Sequence, residues 1–126
     1  MSRAIVLLAH GSPDPAWIRP VEAVAERLRA LAPGPVEVAT LERGPDLAAA
    51  CERVAAAGAR EVKVVAVFLS GGGRHVRSDI PELVARVQRE RPELRVELAG
   101  PALGDEPEVL DALAAAALRQ ALSSRG

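Results

Sequence analysis

His10 and His75 are the only histidines of the chain, and each comes shortly after a hydrophobic run. The first run covers residues 4–9 and leads directly into His10, and the second covers residues 62–69. If both runs are strands of a parallel sheet, both imidazoles lie beyond the carboxyl ends of strands, where open α/β sheets bind ligands. We therefore predict a metal or proton-transfer site, the competing interpretation being structural histidines that are hydrogen-bonded to backbone carbonyls.

Acidic side chains near the predicted strand ends divide into two groups. Glu42 follows the apolar stretch at residues 36–41 and belongs to the same edge of the predicted sheet. Taken alone, such a carboxylate is most often a solvated loop residue. Beside two histidines it would complete a partial metal shell or accept a proton. Asp79 is better explained as a helix cap, and Asp14, which precedes Pro15, as a turn or cap residue.

A glycine-rich segment connects the second hydrophobic run to His75, and it consists of Ser70, Gly71, Gly72, Gly73 and Arg74. Its amide hydrogens can form a nest that accepts an anion, whereas the plainer interpretation is a mobile turn. A nucleotide P-loop requires Gly-Lys followed by Ser or Thr, and this segment has no lysine. The dinucleotide-binding fingerprint, Gly-x-Gly-x-x-Gly at the start of a helix, would have to follow the first strand, whereas this segment follows the run at residues 62–69. We therefore expect a loop that presents Arg74 and His75 to a ligand.

The composition argues against several classes of function. The chain has 126 residues, of which 49% are hydrophobic, so it fits one domain with an ample core. One Phe, one Trp and no Tyr leave no aromatic platform for stacking on nucleic-acid bases. A net charge of -1 argues against binding to a phosphate backbone or an anionic membrane.

Cys51 and the amino-terminal segment suggest an ordinary cytosolic protein. Cys51 is the only cysteine and shares a predicted helical face with Leu47 and Val54, which favours a buried core thiol over a nucleophile. No signal-peptide pattern and no run of transmembrane length are present in the sequence. We therefore expect the protein to be cytoplasmic, with no membrane partner.

The elements that must position these residues alternate between strand and helix. Strands are predicted at residues 3–9, 36–41, 61–69 and 94–99. The third is almost continuously apolar, as a central strand buried on both faces is. The fourth alternates apolar with charged residues, which is typical of an edge strand.

Helices are predicted between and after the strands. The second begins at the cap Asp46 and ends near Gly58, and the third begins at the cap Asp79 with Pro81 in its first turn. The first helix should bury Val21, Val24, Leu28 and Leu31, and the last should bury Val109, Leu110, Leu113, Ala117 and Leu118. The pattern predicts one α/β domain over residues 1–126, with a four-stranded parallel sheet and helices on both faces.

Several short motifs also occur in a recognisable order. They are Ala9-His10-Gly11-Ser12 with Asp14-Pro15, Leu41-Glu42, Phe68-Leu69, Gly73-Arg74-His75-Val76 and Asp79-Ile80-Pro81. As a set they resemble the sirohydrochlorin chelatases of the CbiX/SirB type, over residues 4–118. These class II chelatases insert a divalent metal into a sirohydrochlorin-type tetrapyrrole without ATP.

The resemblance implies a role for each candidate residue. His10 would be a metal ligand and the acceptor of pyrrole protons, His75 the second metal ligand, and Glu42 an acid beside them. The segment from Ser70 to Arg74 would lie along the macrocycle. Larger members have two lobes across a cleft, so this one-lobe chain would correspond to half of such a protein and is expected to form a homodimer. No cofactor is implied beyond the metal substrate, which would be Co²⁺, Ni²⁺ or Fe²⁺.

Two other functions remain open from the sequence alone. A non-catalytic metal or tetrapyrrole carrier would use the same histidines. A flavodoxin-like or nucleotide-binding module would use the glycine-rich segment for phosphate. The enzyme hypothesis is favoured chemically because imidazole both accepts protons and binds Co²⁺, Ni²⁺ and Fe²⁺. A site with few protein ligands also lets the metal leave for the ring.

Overall fold

The sheet contains four parallel strands in the order β2-β1-β3-β4. The computed structural model describes residues 2–68 and 74–123, with the side chains of residues 2 and 74–78 outside that description. The strands are β1 (Ser2–Ala9), β2 (Val36–Thr40), β3 (Ala59–Ala66) and β4 (Arg95–Leu98). The helices are α1 (Arg19–Leu31), α2 (Leu47–Ala56), α3 (Arg74–Glu90) and α4 (Pro107–Ala121), with short 3₁₀ helices at Pro15–Ile18 and Leu103–Asp105. The predicted α/β class is confirmed, since helices pack on both faces of a parallel sheet.

One face of the sheet is closed by α2 and α3 over a core of aliphatic side chains. Fully buried members include Leu8 from β1, Leu47 from α2 and Val87 from α3. Cys51 belongs to the same cluster and is fully buried, which confirms it as a core thiol. Burial of this many branched side chains is the main force that holds the helices to the sheet.

The opposite face is covered by α1 mainly over β1 and β2, with Val65 of β3 packed against the same core. Over β3 and β4, this face carries a row of ion pairs in place of a helix in the described part of the chain. The pairs join Arg3 to Glu61 at 2.8 Å and Lys63 to Glu97 at 2.6 Å. Charged cross-strand pairs suit a sheet face that remains in contact with water.

The ends of α2 follow the predicted signals. The carboxylate of Asp46 accepts a hydrogen bond from the Ala49 N–H at 2.9 Å, which caps the first turn. The helix ends at Ala56, and Gly58 has a φ of +101°, the left-handed conformation that favours glycine after a helix. Both predictions for this helix are confirmed.

The start of α3 differs from the prediction. The helix begins at Arg74, so Asp79 lies inside it and is not its cap, and Pro81 is an interior residue. The residues before Asp79 are mostly polar and give no apolar periodicity, so the sequence signal detected only the later turns. Pro81 removes one backbone hydrogen bond without ending the helix.

The third strand begins and ends a few residues earlier than the sequence pattern predicts. It covers Ala59–Ala66, whereas the prediction was residues 61–69, of which residue 69 is outside the described part. The apolar run continues because Val67 and Phe68 pack against the two cores from beyond the strand end. The central position of β3 and the edge position of β4 are confirmed.

Two of the predicted helix faces are wrong in part. In α1, Val21 is buried but Val24 is 38% exposed and Leu31 is 81% exposed, because the helix turns Ala25 toward the sheet instead. The last helix, α4, has no buried residue, although the prediction placed five of its side chains inside. Within the described part of the chain its main contacts are with the 3₁₀ helix Leu103–Asp105. Periodicity showed that α4 has an apolar face, but it did not show what covers that face.

Candidate active site

Three neighbouring strands end at the same edge of the sheet and deliver His10, Glu42 and Phe68 to it. His10 directly follows β1, Glu42 comes shortly after β2, and Phe68 shortly after β3. Because β1 lies between β2 and β3, the imidazole stands between the other two side chains. The sequence therefore predicted correctly that His10 and Glu42 lie at one edge.

Backbone hydrogen bonds extend the pairing of β1 and β2 into this edge. The Leu41 N–H donates to the Ala9 carbonyl at 2.9 Å, and the Glu42 N–H donates to the His10 carbonyl at 3.0 Å. The two functional residues thus start from a continuous, hydrogen-bonded backbone rather than from free loops. Such a base limits the positions that the side chains can adopt.

The side chains of His10 and Glu42 are close but not hydrogen-bonded. The imidazole Nε2 lies 3.7 Å from the Glu42 Oε2, which is longer than a good hydrogen bond. The side chains are 54% and 64% exposed, respectively. Both side chains therefore remain open to a ligand. Together they offer a metal one nitrogen and one oxygen ligand, or offer a substrate two proton acceptors.

Phe68 supports the imidazole from the side of β3. Its ring stands edge-on to the His10 ring, with the centroids 6.2 Å apart and an angle of 77° between the planes. Aromatic pairs favour this arrangement. Apart from its place in a family motif, the sequence assigned no role to Phe68. The signal that could have found it is that the only Phe of the chain lies near the carboxyl end of the strand that precedes the glycine-rich segment.

Gly11 allows the turn after His10 to pack against the β2 loop. Its φ is +103°, and a Cβ atom on this residue would lie only 1.9 Å from the Glu42 carbonyl oxygen. No side chain fits there, so glycine is required both for the backbone conformation and for the close approach. Asp14, a little further on, accepts a hydrogen bond from the Ala16 N–H at 3.0 Å, which confirms it as a cap residue.

His75 and Arg74 begin a helix and do not lie on a loop. Arg74 is the first residue of α3 and His75 the second, which corrects the expectation that a glycine loop presents them. Strand β3 ends at the edge that carries His10, because it is parallel to β1. The side chains of both residues, and all of Ser70, Gly71, Gly72 and Gly73, lie outside the described part of the structure. The pairing of His75 with His10 therefore remains a prediction.

Among the side chains that the structure describes, no group of three His, Cys, Asp or Glu residues could hold a metal ion. His10 and Glu42 by themselves offer a metal two ligands, which leaves its other coordination positions to further groups such as substrate nitrogens. Cys51 is not such a donor, because burial raises the pKa of its thiol to about 11, partly offset by Arg91. Nor does any helix in residues 2–68 and 74–123 have the length and apolarity needed to cross a membrane.

The chain is similar to known proteins in both sequence and structure. The CbiX family model matches residues 4–120 of the chain. A CbiX protein from Marinobacter aquaeolei VT8 has a similar structure, with 30% sequence identity and a TM-score of 0.82, over 94% of this chain and 97% of that one. None of the curated protein sequences compared with the chain gives a match.

Two structures of longer proteins are also similar. One is the sirohydrochlorin chelatase SirB from Bacillus subtilis subspecies spizizenii in complex with cobalt, with 29% identity, a TM-score of 0.76 and 91% of this chain covered. The other is SirB from Bacillus subtilis with Fe³⁺, with 27% identity, a TM-score of 0.79 and 98% of this chain covered. This chain spans 49% and 48% of those two chains, about half of their length.

Proposed function

Because the chain belongs to the CbiX family, we propose that it is a sirohydrochlorin chelatase, which inserts a divalent metal into the tetrapyrrole without ATP. The observation that carries the proposal is the pair His10 and Glu42, whose side chains end 3.7 Å apart at the ligand-binding edge of the sheet. Both are exposed, and neither is hydrogen-bonded to the other. A site for this reaction needs proton acceptors that a large flat substrate can reach.

The reaction exchanges two protons for one metal ion. Two pyrrole N–H groups of the ring lose their protons while M²⁺ enters between the four ring nitrogens. In the proposed mechanism the His10 Nε2 first binds the incoming metal. As the metal passes to the ring, the freed Nε2 accepts one pyrrole proton and the Glu42 carboxylate accepts the other. His75 is proposed as the second metal ligand. No covalent intermediate forms, and a weakly held metal passes from protein to ring because the four ring nitrogens bind it more strongly.

The metal is proposed to be cobalt, with nickel or iron as the alternatives. One similar SirB structure contains cobalt and another contains Fe³⁺. At most nitrogen and oxygen sites the affinity rises from Fe²⁺ through Co²⁺ to Ni²⁺. Which metal is inserted therefore depends on the geometry of the site and on metal availability more than on the affinity of these ligands. The product would serve cobalamin or siroheme-type biosynthesis in the cytoplasm. The segment from Ser70 to Arg74 is proposed to contact the macrocycle.

The active form is proposed to be a homodimer. One sheet edge covers only one side of a flat macrocycle, whereas binding sites usually enclose most of the ligand. The SirB chains are about twice as long as this one, so a second copy would supply the missing half. Helix α4 also exposes Leu110, Leu113 and Leu118 to 51%, 46% and 60%, which is unusual for a helix without a partner. A two-fold dimer is the commonest way to cover such a surface.

The test is an anaerobic insertion assay with metal-free sirohydrochlorin and Co²⁺, Ni²⁺ or Fe²⁺ in turn, followed by visible absorption. An enzyme gives many equivalents of product per protein at a rate above the metal and ring alone. A carrier would bind one equivalent and stop, and that result would contradict the proposal. The same protein with His10→Ala serves as the control for metal carried by other groups.

A further inference from the structure

We propose that a cleft beside His10 binds one carboxylate arm of the tetrapyrrole, with Arg43 as the cation that holds it. This inference rests on the proposed function for the identity of the ligand. The cleft has a volume of about 180 Å³ and lies between the loops that follow β1 and β2. Sites for whole drug-sized ligands measure roughly 300–1,000 Å³. The cleft is therefore too small for a macrocycle and suits a single side arm.

The walls of the cleft fit a short aliphatic chain that ends in a carboxylate. Trp17, Ile18 and Pro45 supply apolar surface, and Arg43 supplies positive charge. Trp17 is 37% exposed, so this large side chain does not serve the core. It and Phe68 are the only Trp and Phe of the chain, which has no Tyr, and both lie at the edge that carries His10.

Arg43 is held in an unusual backbone conformation. Its φ is +56°, and within the described residues no other non-glycine residue has a positive φ. This left-handed conformation is unfavourable for most residues other than glycine. Such strain persists only where the surroundings impose it, and it occurs preferentially at functional sites.

The surroundings that impose it are hydrogen bonds on both sides of Arg43. On one side, the Glu42 N–H donates to the His10 carbonyl; on the other, the Thr40 N–H donates to the Pro45 carbonyl at 2.8 Å. Gly44 packs against Thr40 so closely that a Cβ atom would lie 2.8 Å from its hydroxyl oxygen. The loop is thereby closed around Arg43, and the position of this residue is coupled to that of Glu42.

Several donors that could bind an anion in the cleft are unused in the part of the chain that the structure describes. Arg43 makes no ion pair or hydrogen bond with any residue that the structure describes. In the same part of the chain, the backbone N–H groups of Gly11 and Ser12 have no acceptor. Ser12 accepts from the Asp14 N–H at 3.1 Å through its hydroxyl oxygen, which leaves the hydroxyl proton available to donate. Guanidinium, hydroxyl and amide donors in one cleft form a suitable site for a carboxylate.

Two carboxylates also border the cleft and oppose an anion there. Asp14 is used as the cap of the 3₁₀ helix, since it accepts from the Ala16 N–H. Glu22 lies in the first turn of α1, is exposed and has no ion-pair partner among the described residues. The proposal therefore makes opposite predictions for two neighbouring charges: removal of Arg43 should weaken the binding of an anionic arm, and removal of Glu22 should strengthen it.

The decisive experiment compares Arg43→Asn with Glu22→Gln and with Arg60→Asn. Asparagine tolerates a positive φ, so Arg43→Asn removes the charge without adding strain. Arg60 is an exposed arginine near the amino end of β3, at the opposite edge of the sheet, and serves as the matched control. Sirohydrochlorin binding is measured by fluorescence, together with KM and kcat for cobalt insertion and the melting temperature.

We expect Arg43→Asn to raise Kd and KM for sirohydrochlorin about tenfold, with kcat and the KM for Co²⁺ nearly unchanged. Glu22→Gln should lower both sirohydrochlorin constants, and Arg60→Asn should behave as wild type. Equal constants in Arg43→Asn and wild type would overturn the inference while leaving the chelatase proposal intact. Binding without turnover by wild type would contradict the chelatase proposal, yet the Kd comparison would still decide the role of Arg43. No binding by wild type would overturn both.

Discussion

His10 and Glu42 are hydrogen-bonded through their backbones, and their side chains lie close together. The Glu42 N–H donates to the His10 carbonyl at 3.0 Å, and the imidazole Nε2 lies 3.7 Å from the Glu42 Oε2. The backbone bond continues the pairing of β1 with β2 past the ends of both strands. A change in either loop therefore moves both functional side chains, and the site depends on the glycine that lets the loops meet.

Replacement of His10 by Ala is expected to abolish detectable metal insertion with little loss of stability. The side chain is 54% exposed, so its removal should cost about 1 kcal/mol or less. Turnover and melting temperature measured on one preparation separate the two effects. His75→Ala is expected to give the same loss of turnover. Full activity in His75→Ala would remove this residue from the proposed metal site.

Replacement of Gly11 by Ala is expected to destabilise the fold and to disrupt the site. The new Cβ atom would collide with the Glu42 carbonyl and would also be strained by the positive φ, for a combined cost of about 3 kcal/mol or more. Gly58→Ala is the matched control, because Gly58 has a similar φ of +101° but open space around it. Urea unfolding should show a clearly smaller loss for Gly58→Ala, of about 1 kcal/mol. Equal losses would mean that the contact with Glu42 does not constrain Gly11.

The ion pairs on the open sheet face should make the protein sensitive to acid. A hydrogen bond from Arg3 holds the pKa of Glu61 below its usual value, and one from Lys63 does the same for Glu97. Because the folded-state pKa is lowered, this contribution to stability is present above the ordinary carboxyl pKa. It is lost as the pH falls through the lowered, folded-state pKa.

Thermal unfolding between about pH 6 and pH 3 tests this expectation, with the range set by ordinary carboxyl pKa values. Glu97→Gln should reduce the fall in melting temperature over this range, and high salt should do the same. Glu52→Gln is the control, since Glu52 is exposed on α2 and has no ion pair among the described residues. An identical acid profile for Glu97→Gln and wild type would contradict a stabilising role for the Lys63 pair.

Cys51 is expected to be chemically inert in the folded protein. Burial raises the pKa of its thiol to about 11, so the reactive thiolate is scarce at neutral pH. A thiol reagent should label the protein only after denaturant is added. Cys51→Ser should cost about 1–3 kcal/mol, because it buries a hydroxyl in an aliphatic core. Cys51→Ala, which adds no polar group, is the control. Rapid labelling of the native protein would show that the α2 core opens readily.

The exposed face of α4 is expected to lie in the dimer interface. Leu113→Glu should convert a dimer to a monomer, because it places a charge in a surface that would otherwise be dry. Light scattering over a range of concentrations measures the change, and insertion activity should fall with the dimer. Leu31→Glu on α1 is the control, since Leu31 is also exposed, at 81%, but lies on another helix. A fully active monomer in wild type would rule out a cleft shared between two copies.

The sequence by itself determined the parallel sheet and the edge of it at which the proposed active site lies. Apolar runs of strand length separated by capped helices predict parallel strands, and in parallel strands His10 and Glu42 must come to the same edge. The helical face that Cys51 shares with Leu47 and Val54 identified it as a core residue. These features are local, or follow from topology, so that residue type and spacing suffice to predict them.

Only the tertiary structure decided which helix faces are covered and how the loops meet. The periodicity of α4 is that of a buried helix, yet no residue of α4 is buried, because an apolar stripe in the sequence does not identify the surface that packs on it. The sequence pattern did not indicate that α3 begins at Arg74, because the first turns of this helix carry no apolar stripe. Gly11 contacts Glu42, and Phe68 stands edge-on to His10, although the residues of each pair are distant in sequence. Arg43 has a left-handed backbone conformation. Such relationships depend on the packing of neighbouring loops, which no local pattern of residue types encodes.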